Sequence, residues 1–279
     1  MSNARILFST GSLYLLDTAE SFALAAEAGY DGIEIMCDDR YGTRDPDYLR
    51  RLSEQYKLPV LVAHTPFSPK LPGWRDGEDQ TARIYRTLEL AEALGCESIV
   101  VHVPNKLWYG SLNVGSHAFN FPWLTPFGGV KDWIEHSLAD VQRGTRVKIA
   151  LENMPTRRLW GMNRDWAWWN QVETWSSAHE WLTMDTTHWA TKGIDPLEAY
   201  RAAGKRICHI HLSNYNGQEH QLPQQGILDL AGLLATLAAD GYDGTISLEV
   251  HPHVLEYQNG DALRRNLRES LIFCRENLA

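Results

Sequence analysis

The sequence predicts an α/β chain folded as a single (β/α)8 barrel, and two observations carry that prediction. Short apolar runs alternate with helical segments from one end of the chain to the other. Five of those runs also finish on a metal-binding side chain: Val-Val-His102, Ile-Ala-Leu-Glu152, Leu-Thr-Met-Asp185, His-Ile-His211 and Ser-Leu-Glu249. Positions 152, 185, 211 and 249 follow one another at about the length of a strand–helix unit with its loops. Strand ends repeated at that interval converge on one point only if the strands are parallel neighbours in a closed or strongly wound sheet.

Each element follows in order. Residues 5–9 read as a strand, and 17–29 as a helix opened by Asp17-Thr18 and stopped by Gly29. Gly-Ile-Glu34-Ile-Met is the second strand, followed by a helix over 46–57 and the strand Pro-Val-Leu-Val-Ala-His64. The run 77–95 has strong helical spacing and stops at Gly95, before Ser-Ile-Val-Val-His102. A helix over about 129–143 precedes Lys-Ile-Ala-Leu-Glu152. Trp-Leu-Thr-Met-Asp185, Ile-Cys-His-Ile-His211 and Thr-Ile-Ser-Leu-Glu249 complete eight strands, with helices near 196–203, 227–240 and 260–277. Apolar strands of this kind imply burial on both faces, as in a parallel sheet covered by helices.

The bulk numbers agree. A length of 279 residues suits one barrel of about 250 residues, and no linker or charge block divides the chain, so residues 1–279 are expected to form one domain. The net charge of −9 gives no overall basic footprint and weighs against nucleic acid as a partner. Cys37, Cys96, Cys208 and Cys274 are scattered without a C-x-x-C pair, which fits a reducing cytoplasm. The first residues run straight into a strand with no room for a signal segment, and no apolar run approaches the roughly 18 residues of a membrane span.

Two connections are long for a compact domain. Residues 104–128 hold Trp108, Tyr109, Phe119, Phe121, Trp123 and Phe127; residues 154–180 hold Trp160, Trp166, Trp168, Trp169 and Trp175. Both follow strands that end in candidate ligands, so both are expected over the mouth of the barrel. Their rings fit a lid or substrate wall that stacks on a sugar, or an interface between subunits of a homo-oligomer.

Glu152, Asp185, His211 and Glu249 combine hard oxygen donors with one imidazole and no thiolate. Such a set suits one divalent cation, Mn, Co, Mg or Zn, in an open coordination sphere. Around it stand His64, His102, His188 and His220, which leave room for a second metal or hold substrate, with Glu34 at the end of the second strand and His209 on the same strand face as His211 but two residues deeper. His209 also fits a core histidine held by a partner behind the ligands. His251 and His253 read as surface loop.

These residues carry a resemblance. The set Ala-His64-Thr-Pro, Val-His102-Val-Pro, Leu-Glu152-Asn-Met, Asp185-Thr-Thr-His188, His211-Leu-Ser-Asn, His220 and Leu-Glu249-Val-His-Pro resembles the xylose isomerase-like TIM barrel superfamily, the AP endonuclease family 2 type. That group includes sugar isomerases and epimerases, inosose dehydratases and the endonuclease IV type of DNA repair enzyme. The ketose 3-epimerase branch implies one divalent metal on Glu152, Asp185, His211 and Glu249, with the two glutamates exchanging a proton with substrate. It also implies a Glu and an Arg where this chain has Arg158 and Gly217, so those substrate contacts are missing. The endonuclease IV branch implies three zinc ions that add His64, His102, His188 and His220. It further implies an Asp where this chain has Gln218.

The reading that results is a divalent-metal-dependent isomerase or epimerase, or a related dehydratase or lyase. It acts on a small sugar or polyol-like substrate by proton abstraction next to a metal-polarised carbonyl. Glu152 and Glu249 are the expected acid/base pair. Trp108, Trp123, Arg158 and Trp160 join Glu34 and His209 as expected substrate contacts. Two alternatives stay open: a zinc phosphodiesterase acting on abasic DNA, and a sugar-binding barrel without turnover.

Overall fold

A computed structural model describes residues 3–66, 71, 74, 80–114, 117–126, 129–159 and 162–279; for 107–114, 117–126, 158, 159 and 162 only the backbone is described. The strands are β1 Arg5–Ser9, β2 Gly32–Met36, β3 Val60–His64, β4 Ser98–His102, β5 Leu107–Val114, β6 His117–Pro126, β7 Lys148–Glu152, β8 Arg157–Leu159, β9 Met162–Arg164, β10 Leu182–Asp185, β11 Ile207–Leu212 and β12 Thr245–Leu248. Eight of them close a parallel barrel in the order β1-β12-β11-β10-β7-β4-β3-β2. The predicted (β/α)8 fold is therefore the observed one.

The helices are α1 Thr18–Ala28, α2 Pro46–Tyr56, α3 Gln80–Leu94, α4 Gly129–His136, α5 Leu138–Gly144, α6 Val172–Ser176, α7 Thr186–Ala190, α8 Pro196–Ala203, α9 Leu230–Ala239 and α10 Gly260–Asn277. Local chemistry sets their ends. Asp45 accepts from the amides of Asp47 (3.0 Å) and Tyr48 (3.1 Å) ahead of Pro46, which opens α2. Gly29 closes α1 at φ +94°, its N–H on the Ala25 carbonyl at 3.0 Å; a side chain there would be strained.

Three details differ from the sequence expectation. The run 129–143 divides into α4 and α5. Both long connections hold secondary structure: β5 pairs with β6 as an antiparallel hairpin, and β8 pairs with β9 ahead of α6. A short helix, α7, starts directly after β10 because Asp185 serves as its cap, accepting from the His188 amide at 2.8 Å.

Along β2, β7, β10 and β12 the wall alternates between helix-facing and lumen-facing side chains. Ile33 and Ile35, Ile149 and Leu151, Leu182 and Met184, and Ile246 and Leu248 join one large apolar cluster with the helices. The residues between and beyond them, Glu34, Glu152, Thr183, Asp185, Thr245 and Ser247, are buried as well. Those side chains turn into the lumen, as the two-residue period of a strand requires. The lumen's own apolar cluster is small: Leu7, Val62 and Val100, on β1, β3 and β4. Polar groups fill much of the rest, Glu34 of β2 and His64 of β3 among them.

Candidate metal centre

Contacts across the lumen define the site. β2 and β11 are not neighbours in the barrel, yet Glu34 and His211 meet at 3.0 Å. The imidazoles of His64 on β3 and His211 stack with centroids 5.5 Å apart. Side chains from opposite walls thus meet at the carboxyl ends of the strands, where the eight loop connections open.

Glu152, Asp185, His211 and Glu249 each place one donor atom so that all four lie within 4.8 Å of one another. His211 Nδ1 is central, 2.9 Å from Glu152 Oε1, 2.9 Å from Glu249 Oε2 and 3.9 Å from Asp185 Oδ2. The first three residues are fully buried, and the Glu249 side chain retains 15% exposure. Three buried carboxylates around one imidazole form an excess of negative charge, which is costly unless a cation compensates it. Asp185 Oδ2 is buried without a hydrogen-bond donor. The donor set and this orphaned oxygen fit a divalent cation.

The electrostatics follow. Burial alone would push the His211 imidazole down, but the carboxylates of Glu34, Glu249 and Glu152 outweigh it and raise it well above its ordinary value. Burial alone would likewise raise the Glu152 carboxyl; the His211 and His102 charges and hydrogen bonds hold it well below the usual range. Glu249, with burial again opposed by His211, falls to about 2.

Two further groups share these carboxylates. His64 and His102 approach Glu152 Oε2 at 3.4 and 3.1 Å, and the three form one cluster of potential donors. Asp185, His188 and His220 form another. His188 Nδ1 donates to the Asn153 carbonyl at 2.7 Å, which leaves Nε2 facing Asp185 Oδ2 (3.8 Å) and Glu219 (3.7 Å). His220 adopts φ +59°, a left-handed conformation that costs about 1 kcal/mol or more in a non-glycine residue. Its Nδ1 donates to the Glu249 carbonyl at 3.1 Å.

Of the sequence candidates, the structure brings together Glu152, Asp185, His211, Glu249, His64, His102, His188 and His220. Glu34 and His209 are expected among the substrate contacts, and His209 also as a core histidine with a partner behind the ligands. Both are completely buried: Glu34 lies behind His211, bonded to its Nε2, and His209 one step further from the mouth. Trp160 lies outside the described residues. Trp108, Trp123 and Arg158 sit on the hairpin backbones, with side chains outside the described set; Trp108 and Trp123 are paired residues of β5 and β6. Trp175, expected in a lid or interface, belongs to the core, its Nε1 donating to the Leu151 carbonyl at 3.1 Å beneath β7.

Sequence reasoning assigned no role to Asn153. Its side chain extends the β7–β10 pairing by one rung, accepting from the Asp185 amide (2.8 Å) and donating to the Asp185 carbonyl (3.1 Å). An Asn directly after a candidate ligand, in Leu-Glu152-Asn-Met, was the available signal. A recess of about 350 Å³ opens beside Glu249 and His220, lined also by Tyr14, Met36, Asp38, Val250 and Pro252.

Comparisons with known proteins agree with this architecture. The chain is 28% identical over 298 aligned positions to the uncharacterised protein Rv0498 of Mycobacterium tuberculosis, covering 98% of each. It is 27% identical to a 3-dehydroshikimate dehydratase of Pseudomonas aeruginosa over 83% of this chain and 36% of that one. A 3-keto-D-glucoside 4-epimerase from E. coli shares the fold with a TM-score of 0.69 at 19% identity, over 98% of this chain and 99% of that one. The sequence profile described as "Xylose isomerase-like TIM barrel" matches residues 22–276, and the chain belongs to that family.

Proposed function

We propose that this chain is a divalent-metal-dependent isomerase or epimerase, or a dehydratase or lyase using the same first step, acting on a small sugar or polyol-like substrate. The observation that carries the reading is the convergence of Glu152, Asp185, His211 and Glu249, donor atoms within 4.8 Å, at the barrel mouth. A divalent cation held there supplies Lewis-acid polarisation of a substrate carbonyl, which acidifies the neighbouring C–H.

The protein's own groups do the rest. Glu152 stands on β7 and Glu249 just beyond β12, separated in the barrel by β10 and β11. Their carboxylates reach the centre from different walls, so one can take a proton from one face of a carbon while the other returns it. Glu249 borders the recess and is the accessible base; Glu152 is packed beneath His64 and His102. His188 and His102 border the same mouth and hold substrate hydroxyls. The recess falls at the lower end of the roughly 300–1,000 Å³ typical of small-molecule sites. Elimination needs the same proton abstraction, followed by departure of a β-hydroxyl as water once a protonated glutamate has given it a proton; similarity to a dehydratase and to a keto-glucoside epimerase supports both outcomes.

A second reading, a zinc phosphodiesterase on abasic DNA, has one observation in its favour: two extra donor sets, His64–His102–Glu152 and Asp185–His188–His220, flank the first. The net charge of −9 weighs against it.

The test is solvent exchange. Ketoses and keto-glycosides incubated with protein and Mn or Co in D2O should gain carbon-bound deuterium in the wild type. Glu249→Gln should keep its fold and lose exchange by at least about a hundredfold. Undiminished exchange in that variant would remove Glu249 from the role of base.

A further inference from the structure

We propose that Glu34 is the positioning residue of this centre: its carboxylate accepts the Nε2–H of both His209 and His211, and so turns the Nδ1 lone pair of His211 toward Glu152, Asp185 and Glu249. The inference rests on the reading of that cluster as a metal centre. Glu34 is 0% exposed and bonded to the side of the His211 ring opposite Nδ1. Its two oxygens are divided between two rings, Oε1 at 3.0 Å from His211 Nε2 and Oε2 at 3.1 Å from His209 Nε2. A carboxylate offers only acceptors, so both ring nitrogens are donors. His209 is held in turn by Thr245, whose Oγ1 lies 2.7 Å from His209 Nδ1.

The chain Thr245–His209–Glu34–His211 therefore crosses the lumen from β12 through β11 to β2 and back to β11. Because β2 and β11 are not neighbours in the sheet, the backbone ladder does not fix the angle of the His211 ring. Glu34 fixes it from across the barrel. A metal-binding histidine whose second nitrogen is tied to a carboxylate presents its first nitrogen in one tautomer and one orientation, and loss of such a partner typically weakens metal binding about 10–100-fold. Glu34 could instead be read as a ligand, since one of its oxygens lies within 4.8 Å of donors on His64 and His211. Its position behind His211, with each oxygen facing an N–H, favours the positioning role.

The experiment is a titration of Mn(II) and Co(II) into wild type, Glu34→Gln and Thr245→Val, with binding read by calorimetry, the Co(II) site by visible absorption, and folding by circular dichroism. Glu34→Gln should bind about 10–100-fold more weakly, with an altered Co(II) spectrum, while Thr245→Val, at the far end of the chain, should change affinity only a few-fold. Wild-type affinity and an unchanged spectrum in a folded Glu34→Gln would overturn the role of Glu34 and leave the metal centre standing. A wild type that binds neither metal would remove both. If Glu34→Gln does not fold, long-range 1H–15N correlation on the zinc-loaded wild type decides. A proton on His211 Nε2 is expected, and a proton on Nδ1 would overturn the proposal.

Discussion

Along the same strands, the helix-facing and lumen-facing sides of the barrel wall are built from opposite chemistry. Ile33, Ile35, Ile149, Leu151, Met184 and Ile210 face the helices within one continuous apolar cluster. Glu34, Glu152, Asp185, His209 and His211 face the lumen and are equally buried. Apolar burial contributes stability at about 25 cal/mol per Å², whereas burying charge costs free energy unless partners offset it. The outer face thus holds the barrel together. The inner face draws on that stability to keep carboxylates and imidazoles in contact away from water. Substitutions on the two faces should therefore have separable consequences.

The largest effect belongs to the lumen. Glu152 touches His64, His102, His188 and His211, more of the site than any other carboxylate. Glu152→Gln should reduce deuterium exchange into substrate by more than about a hundredfold while the far-ultraviolet dichroism stays that of the wild type. A variant that unfolds would show that the lumen network also carries the fold, and would blur the contrast.

On the outer face, Leu234 of α9 is 0% exposed within the apolar cluster. Leu234→Ala should lower stability by about 2–5 kcal/mol in urea unfolding, with the rate per folded molecule unchanged. A tenfold fall in that rate would couple the two faces more tightly than their chemistry implies.

The smallest effect is a pH dependence of the metal-free protein. His211 is raised above 6.5, so its contribution is complete below pH 6.5 and is lost as pH rises through the raised value. Glu249 is lowered from 4.5 to about 2, so its contribution is complete above pH 4.5 and is lost as pH falls toward 2. Melting should peak between these limits and fall by a few degrees on the alkaline side. Added Mn or Zn should reverse the alkaline trend, because a metal replaces the proton on His211. A flat profile without metal would mean that the lumen charges contribute nothing to folding.

Much of this contrast was legible in the sequence. The alternation in Ile-Glu34-Ile, Leu-Thr-Met-Asp185 and Ile-Cys-His209-Ile-His211-Leu already separates an apolar from a polar face, and the ends of the runs locate the site. Depth was legible only in part, because a strand's period tells which side a residue faces but not which wall it meets. Glu34, read as the end of its strand, is accordingly expected at the mouth, although it lies behind His211; His209, two residues before His211 on the same face, is expected deeper and is found there. Asn153 escaped because its role depends on the register between β7 and β10. Trp175 was grouped with the loop aromatics because its connection is long; α6 folds it back under β7.

The most direct measurement is the metal content of the wild-type chain, by mass spectrometry on protein purified without chelator. A centre built on Glu152, Asp185, His211 and Glu249 predicts close to one Mn, Co, Mg or Zn per chain, removable by chelator together with solvent exchange. No bound metal, with exchange unaffected by chelator, would contradict it.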